Sequence, residues 1–346
     1  MKKILIPVFM MLSIVVTSAQ TIFEAVKNGN LDAVKNILSQ DASLANSPDE
    51  NGNCPVSLAL SGANTELVRL LIQKGADVNL KNNYGFTPLH IAADKNQIEI
   101  GKILIEAGAD LNAVSRYQTT PIFNAIEKGN IGFVELLIQK GADINFQSPI
   151  FGCPIHRAVY RDNTDILKLL IKNAANVEVV DPNGRTPLML SGRCEEAEVL
   201  LNKNALINTV DQSGMNALHY AIRYGTDRSV KNNSFCLTGL LLQKGADANA
   251  VTIDGETPVS LAVEQGYTEV LKLLHKNNAK LNFVDKGFSR TLLHIAAIKG
   301  YGDIVEYLIE TEKIKIKKTW KVKPRANMRL NTGMIKLQSR YPVIKR

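Results

Sequence analysis

Apolar and polar positions along this chain repeat with a long period. From Thr21 onward a Thr, Cys or Asn recurs about every 33 residues, often followed by Pro, with an apolar anchor two residues later and a small residue three further on. The anchors are Phe23, Val56, Leu89, Ile122, Ile155, Leu188, Leu218, Val259 and Leu293, and the small residues include Ala59, Ala92, Ala125, Ala158, Ser191, Ala221, Ala262 and Ala296. A side chain able to accept a backbone N–H, then a Pro whose missing donor costs nothing at the first helical position, predicts a helix start. A second apolar segment carries paired aliphatics such as Leu70 with Leu71, Leu136 with Leu137 and Leu273 with Leu274. Gly75, Gly108, Gly141 or Gly245 then closes it in a left-handed cap. The clusters that follow, "NNYG", "DPNG", "DQSG" and "TIDG", are turn formers. Each period therefore predicts helix, turn, helix and hairpin loop.

Nine such units start near residues 21, 54, 87, 120, 153, 186, 216, 257 and 291, spaced by 33, 33, 33, 33, 33, 30, 41 and 34 residues. The stretches "TPLHIAA" at 87, "TPIFNAI" at 120, "TPVSLAV" at 257 and "TLLHIAA" at 291, with "LLIQKGADVN" and its variants, are one motif. With these residues the sequence resembles the ankyrin-repeat family over residues 21–312. The resemblance implies an all-α solenoid of about nine helix-turn-helix units with hairpin loops, each touching only its neighbours. It also implies a structural, loop-linking role for His90, His156, His219 and His294, which share one repeat position. Two adjacent units break the pattern. The one at Thr186 is three residues short, which predicts a truncated first helix or turn. The one at Asn216 carries an eight-residue insertion, which predicts a protruding loop or an extended helix end.

The two ends differ from the body. Residues 1–19 pair Lys2 and Lys3 with an apolar run from Ile4 to Val16 and close on Thr17 and Ala19. This pattern predicts a cleaved signal peptide of bacterial appearance, a mature start at Gln20 and a periplasmic or secreted product. The formal charge of +8 is misleading in that light. Residues 313–346 hold 12 of the 41 Lys and Arg and no acid, so residues 20–312 carry 27 bases against 33 acids, a net of −6. The tail also holds the only Trp, Trp320. Reading the codons that straddle neighbouring residues forces Glu at Trp320/Lys321 and Asp at Met334/Ile335. It also permits E-G-Q-T-P-x-x-x-A-V-K-Y-G-H-D, whose Thr falls 33 residues after Thr291. A frameshifted tenth repeat is the expected origin of this basic tail; a genuine basic arm for a membrane or nucleic acid is the alternative. Without a following repeat, residues 291–312 are expected to fray.

Candidate chemistry is sparse. The four repeat-position histidines lie on the order of 10 Å apart by helix packing, too far to share a metal, and His275 has no acid or thiol at ligand spacing. Cys54 and Cys153 replace the capping Thr three repeats apart, and whether Cys194 and Cys236 pair is left open. No G-x-S-x-G, Walker loop, H-E-x-x-H or C-x-x-C occurs, so neither catalysis, cofactor nor metal is expected. The loop tips can vary without disturbing the core. Tyr84, Phe86, Arg116, Tyr117, Phe151, Arg185, Phe288 and Arg290 stand at or beside them and are of the types enriched in interface hot spots. The expectation is a monomeric scaffold for a protein partner, with no nucleic acid and no stable membrane insertion. The alternative is the targeting or immunity half of a secreted toxin or hydrolase system whose C-terminal part is lost.

Overall fold

A computed structural model of the chain describes residues 21–224 and 233–312. The leader expected at 1–19, residues 225–232 within the long repeat's insertion, and the basic tail at 313–346 lie outside these residues. The chain divides into two compact units, one ending at Pro182 and the other beginning at Asn183. Among the described residues both are built of paired helices without a sheet: an all-α repeat solenoid.

The first unit holds α1 (residues 21–27) and α2 (Leu31–Gln40), α3 (Pro55–Ala59) and α4 (Thr65–Gln73), α5 (Pro88–Asp94) and α6 (Ile98–Glu106). It continues with α7 (Pro121–Glu127) and α8 (Ile131–Gln139), then α9 (Pro154–Tyr160) and α10 (Thr164–Lys172). The helix starts fall where the Thr-Pro and Cys-Pro pairs place them. The capping detail is less uniform than the sequence suggests, since the Thr120 side chain makes no cap bond at α7. Small residues do what packing requires. Gly101 in α6 lies against the Phe133 ring of α8, where an added Cβ would stand 2.6 Å from Phe133 Cζ. Phe133 is in turn the largest fully buried side chain among the described residues.

Between successive repeats runs a ladder of asparagines. Asn46, Asn79, Asn112 and Asn145 accept through Oδ1 from the backbone N–H of Asp77, Asp110, Asp143 and Asn176, at 2.7, 2.8, 2.8 and 3.0 Å. Asn46 and Asn79 also donate to the carbonyls of Gly75 and Gly108. One Asn per repeat thus satisfies backbone groups that a helix end leaves open.

The second unit holds α11 (Pro187–Leu190), α12 (Cys194–Leu201), α13 (Ala217–Tyr224), α14 (Asn233–Gln243), α15 (Pro258–Gln265), α16 (Thr268–Lys276), α17 (Leu292–Lys299) and α18 (Gly302–Glu312). The short repeat has a truncated first helix, leaving α11 with four residues where α5, α7 and α9 have seven. The long repeat spends part of its insertion on an 11-residue α14. A disulfide joins Cys194, the first residue of α12, to Cys236 in α14 across a Cα–Cα distance of 6.3 Å. The pairing that the sequence leaves open is therefore made. At the C-terminal pair, Ile304, Val305 and Leu308 are buried and Tyr307 hydrogen-bonds His275 Nδ1 at 2.8 Å.

Candidate partner-binding surface

Each hairpin loop is held by its own first side chain. In the loop before α5, Asn82 N–H donates to Phe86 O, and Asn82 Oδ1 accepts from Tyr84 N and Phe86 N, all at 3.0 Å. In the next loop Ser115 N–H donates to Thr119 O at 2.9 Å, and Ser115 Oγ accepts from Tyr117 N and Thr119 N at 3.2 Å. Such side-chain turns fix the loop and leave the residue at its tip free to project. Neighbouring loops are then joined to one another. Arg116 N donates to Tyr84 O and Asn83 N to Asn51 O, each at 3.0 Å. Gly85 makes the join possible: its φ is +77°, and a Cβ there would lie 2.6 Å from Arg116 N.

This scaffold presents aromatic rings. Tyr84 and Tyr117, 51% and 49% exposed, face each other with centroids 6.4 Å apart and planes 15° from parallel. Phe86 is half-buried beneath them, 5.7 Å from Tyr117 and 5.4 Å from the His90 ring. Arg116 is exposed at the same tip. Phe151 is half-buried under the Arg157 guanidinium, which lies 5.0 Å from its centroid and 5.2 Å from that of Tyr160. Glu127 pairs with both Arg157 and Arg161. Of the expected site residues in the first unit, Tyr84, Phe86 and Tyr117 form one cluster and Phe151 belongs to a cation–π group.

In the second unit Arg185 is half-buried. Phe288 is 78% exposed, with the Arg290 guanidinium 4.7 Å from its ring centroid. Arg290 also bonds the Asp285 carboxylate, and this hydrogen bond holds Asp285 below the usual carboxylate range. Arg290 therefore serves its own loop. Val251, Ile253 and Val284 of the second unit are exposed as well.

Sequence reasoning passed over Ile150 and Tyr160, both exposed in the first unit. The available signal for Tyr160 is an aromatic at the register where Asp94 and Glu127 hold acids in the two preceding repeats.

The histidines are bound into the framework. Thr87 N donates to His90 Nδ1 at 3.1 Å, while His90 Nε2 lies 3.2 Å from Thr119 O of the following loop. With Nδ1 accepting, the proton sits on Nε2 and the ring is neutral. Burial lowers the pKa of His90 to about 4 and does the same for His219. Cys54 and Cys153 are buried free thiols at helix caps. Among the described residues no group of three or more His, Cys, Asp or Glu could hold a metal ion.

Comparison with known proteins agrees with this architecture. A family model for ankyrin repeats in three copies matches residues 22–115, 155–231 and 227–319, and one for the single ankyrin repeat matches 117–149. The chain is similar to alpha-latrotoxin-Lg1a of Latrodectus geometricus, 29% identical over 121 residues, which is 35% of this chain and 8% of the toxin. It is similar to a transient receptor potential cation channel subfamily A member 1 homolog of Caenorhabditis elegans, 34% identical over 99 residues, 29% of this chain and 7% of the channel. It is also similar to the NF-kappa-B inhibitor cactus of Drosophila yakuba, 32% identical over 144 residues, 40% of this chain and 27% of the inhibitor. The chain thus spans less than a third of each of these relatives. Family matches covering most of the described residues, on helix pairs joined by the loop ladder and the asparagine ladder, establish that the chain belongs to the ankyrin-repeat family.

Proposed function

We propose that this chain is an exported, non-catalytic scaffold that binds a protein partner through the hairpin tips of its first unit. The observation that carries the reading is the Tyr84–Tyr117 pair. Two large rings stand half-exposed on consecutive loops whose backbones are already hydrogen-bonded to each other. Preorganised aromatic side chains bury area at low entropic cost, which makes them effective anchors. The relatives include an inhibitor of NF-kappa-B, and a scaffold that sequesters a partner fits the same geometry. Export is supported by the leader pattern at residues 1–19 and by a disulfide in the second unit, since disulfides persist in oxidising compartments. No helix among the described residues is long and apolar enough to cross a membrane. The proposed scaffold acts as a monomer without cofactor or nucleic acid, and the basic tail is a frameshifted tenth repeat.

The test replaces only the exposed rings. Tyr84→Ser with Tyr117→Ser should leave far-UV circular dichroism unchanged and abolish capture of a partner retained by the unaltered protein. Undiminished capture would refute the site. N-terminal sequencing of the extracytoplasmic protein should begin at Gln20, and an intact Met1 on a cytoplasmic product would refute export.

A second reading rests on the short span of each relative that the chain covers, 8% of the latrotoxin for example. On that reading the repeats are the targeting or immunity half of a longer secreted system. Resequencing across codons 310–320 and reading the restored frame separates the two: further repeats and a stop support the scaffold, a catalytic region the alternative.

A further inference from the structure

Among the second helices described above, α12 alone has a disulfide at its start. In α2, α4 and α10 an Asn at the cap, Asn30, Asn64 or Asn163, accepts a backbone N–H of the first turn at 3.0 Å. In α6 and α8 the cap residue instead donates to the preceding repeat, Gln97 to Leu60 O and Asn130 to Ala93 O. At α12 the cap residue is Arg193, which makes no side-chain cap bond, and the helix before it, α11, has four residues where α3 has five and α5, α7 and α9 have seven. The repeat thus combines a second helix without a side-chain cap bond, as in α16, with the shortest first helix of those described. At that point Cys194 is bonded to Cys236 of α14.

We infer that the Cys194–Cys236 disulfide is a redox-responsive staple that holds the uncapped start of α12 behind its shortened first helix, so that its reduction loosens α12 and α14. Accessibility suits exchange, because Cys236 is exposed and Cys194 half-exposed. A dithiol reductant supplies the two electrons. Its thiolate attacks Cys236 Sγ, the Cys194–Cys236 bond breaks and Cys194 leaves as a thiolate. The second thiol of the reductant then displaces Cys236, leaving two cysteine thiols and an oxidised dithiol. The other cysteines do not compete. Cys54 and Cys153 are buried, and burial pushes the Cys153 thiol up to about 11. Reduction releases a closed loop with a sequence separation of 42 residues, a constraint whose removal raises local opening on the order of a hundred-fold. The inference stands independently of the partner-binding site.

The test uses the purified chain, air-oxidised and then titrated with dithiothreitol. Iodoacetamide labelling read by peptide mass should find Cys194 and Cys236 blocked before reduction and modified after it, with Cys54 and Cys153 protected throughout. Hydrogen exchange in α12 and α14 should accelerate on reduction while α5 to α8 exchange as before. The Cys194→Ser, Cys236→Ser double variant should resemble the reduced protein and ignore dithiothreitol. Free alkylation of both cysteines in the oxidised protein would overturn the bridge. Unchanged exchange after labelling has demonstrated reduction would overturn the staple, and the latter measurement needs no variant to fold.

Discussion

Acidifying the protein from pH 7.5 to 5 should destabilise it chiefly through His90 in the first unit and His219 in the second, with His294, also lowered by burial, acting in the same direction. His90 accepts Thr87 N–H on Nδ1, and burial lowers its pKa from 6.5 to about 4; the weaker influences of Lys81 and Asp110 oppose one another. His219 accepts Asn216 N–H in the same way and is lowered to about 4, again by burial first. A group whose folded pKa lies below its unfolded value is neutral in the fold while the unfolded chain takes up a proton. Its contribution is complete above pH 6.5, declines as pH falls toward 4 and is gone below that. At pH 5 the unfolded state is favoured by 1.36 kcal/mol for each pH unit below 6.5, about 2 kcal/mol per histidine. Most ordinary carboxylates remain ionised at pH 5, so the histidines dominate this window. The assay is hydrogen exchange of α5 and α7 for the first unit and α13 and α15 for the second, with urea midpoints from circular dichroism. His90→Gln keeps an acceptor near Thr87 and should flatten the pH dependence of α5 and α7 while leaving that of α13 and α15 intact. An NMR titration placing His90 near 6.5, or stability equal at pH 7.5 and 5, would refute the reasoning.

Three substitutions test the backbone and core. Gly85→Ala should destabilise the first unit by about 2 kcal/mol in urea titrations, through left-handed strain and loss of the Arg116–Tyr84 bond; a neutral change would mean that the loops are not locked. Ala174 has φ +65° at the register where Gly75, Gly108 and Gly141 close their helices, so Ala174→Gly should stabilise by about 1 kcal/mol, and a loss would contradict the cap assignment. Phe133→Ala should cost about 3–5 kcal/mol, because a fully buried ring leaves a cavity between α6 and α8; a cost below about 1 kcal/mol would remove it from the core.

The fold was legible because each repeat states its local rules in its own residues. Pro at the first helical turn, an anchor, a small residue and a Gly cap suffice for a helix pair, and the pattern recurs. The candidate site was legible only in part. Tyr84, Tyr117 and Phe288 project as tip residues should, whereas Phe86 and Phe151 turn back onto His90 and Arg157. Sequence position gives the tip but not the ring direction, which the neighbouring loop decides. Arg290 is taken up by Asp285, a contact set by the one-residue-longer loop of that repeat. The disulfide was out of reach for a related reason. Whether Cys194 meets Cys236 depends on how a truncation and an insertion add up in space, and no local rule encodes that sum. Asn79, Asn112 and Asn145 of the ladder stand in the repeated Gly-Ala-Asp-x-Asn, yet their partners sit about 31 residues away.

The most direct test of partner binding through the tips maps contact. A photo-crosslinking amino acid placed at Tyr84 or at Tyr117, and in a control at the exposed Glu135 of α8, reports which face touches another protein in the cells that make it. The account predicts the same covalent adduct from both tip positions and none from Glu135. Adducts from Glu135 with none from the tips, or no adduct from any position, would contradict it.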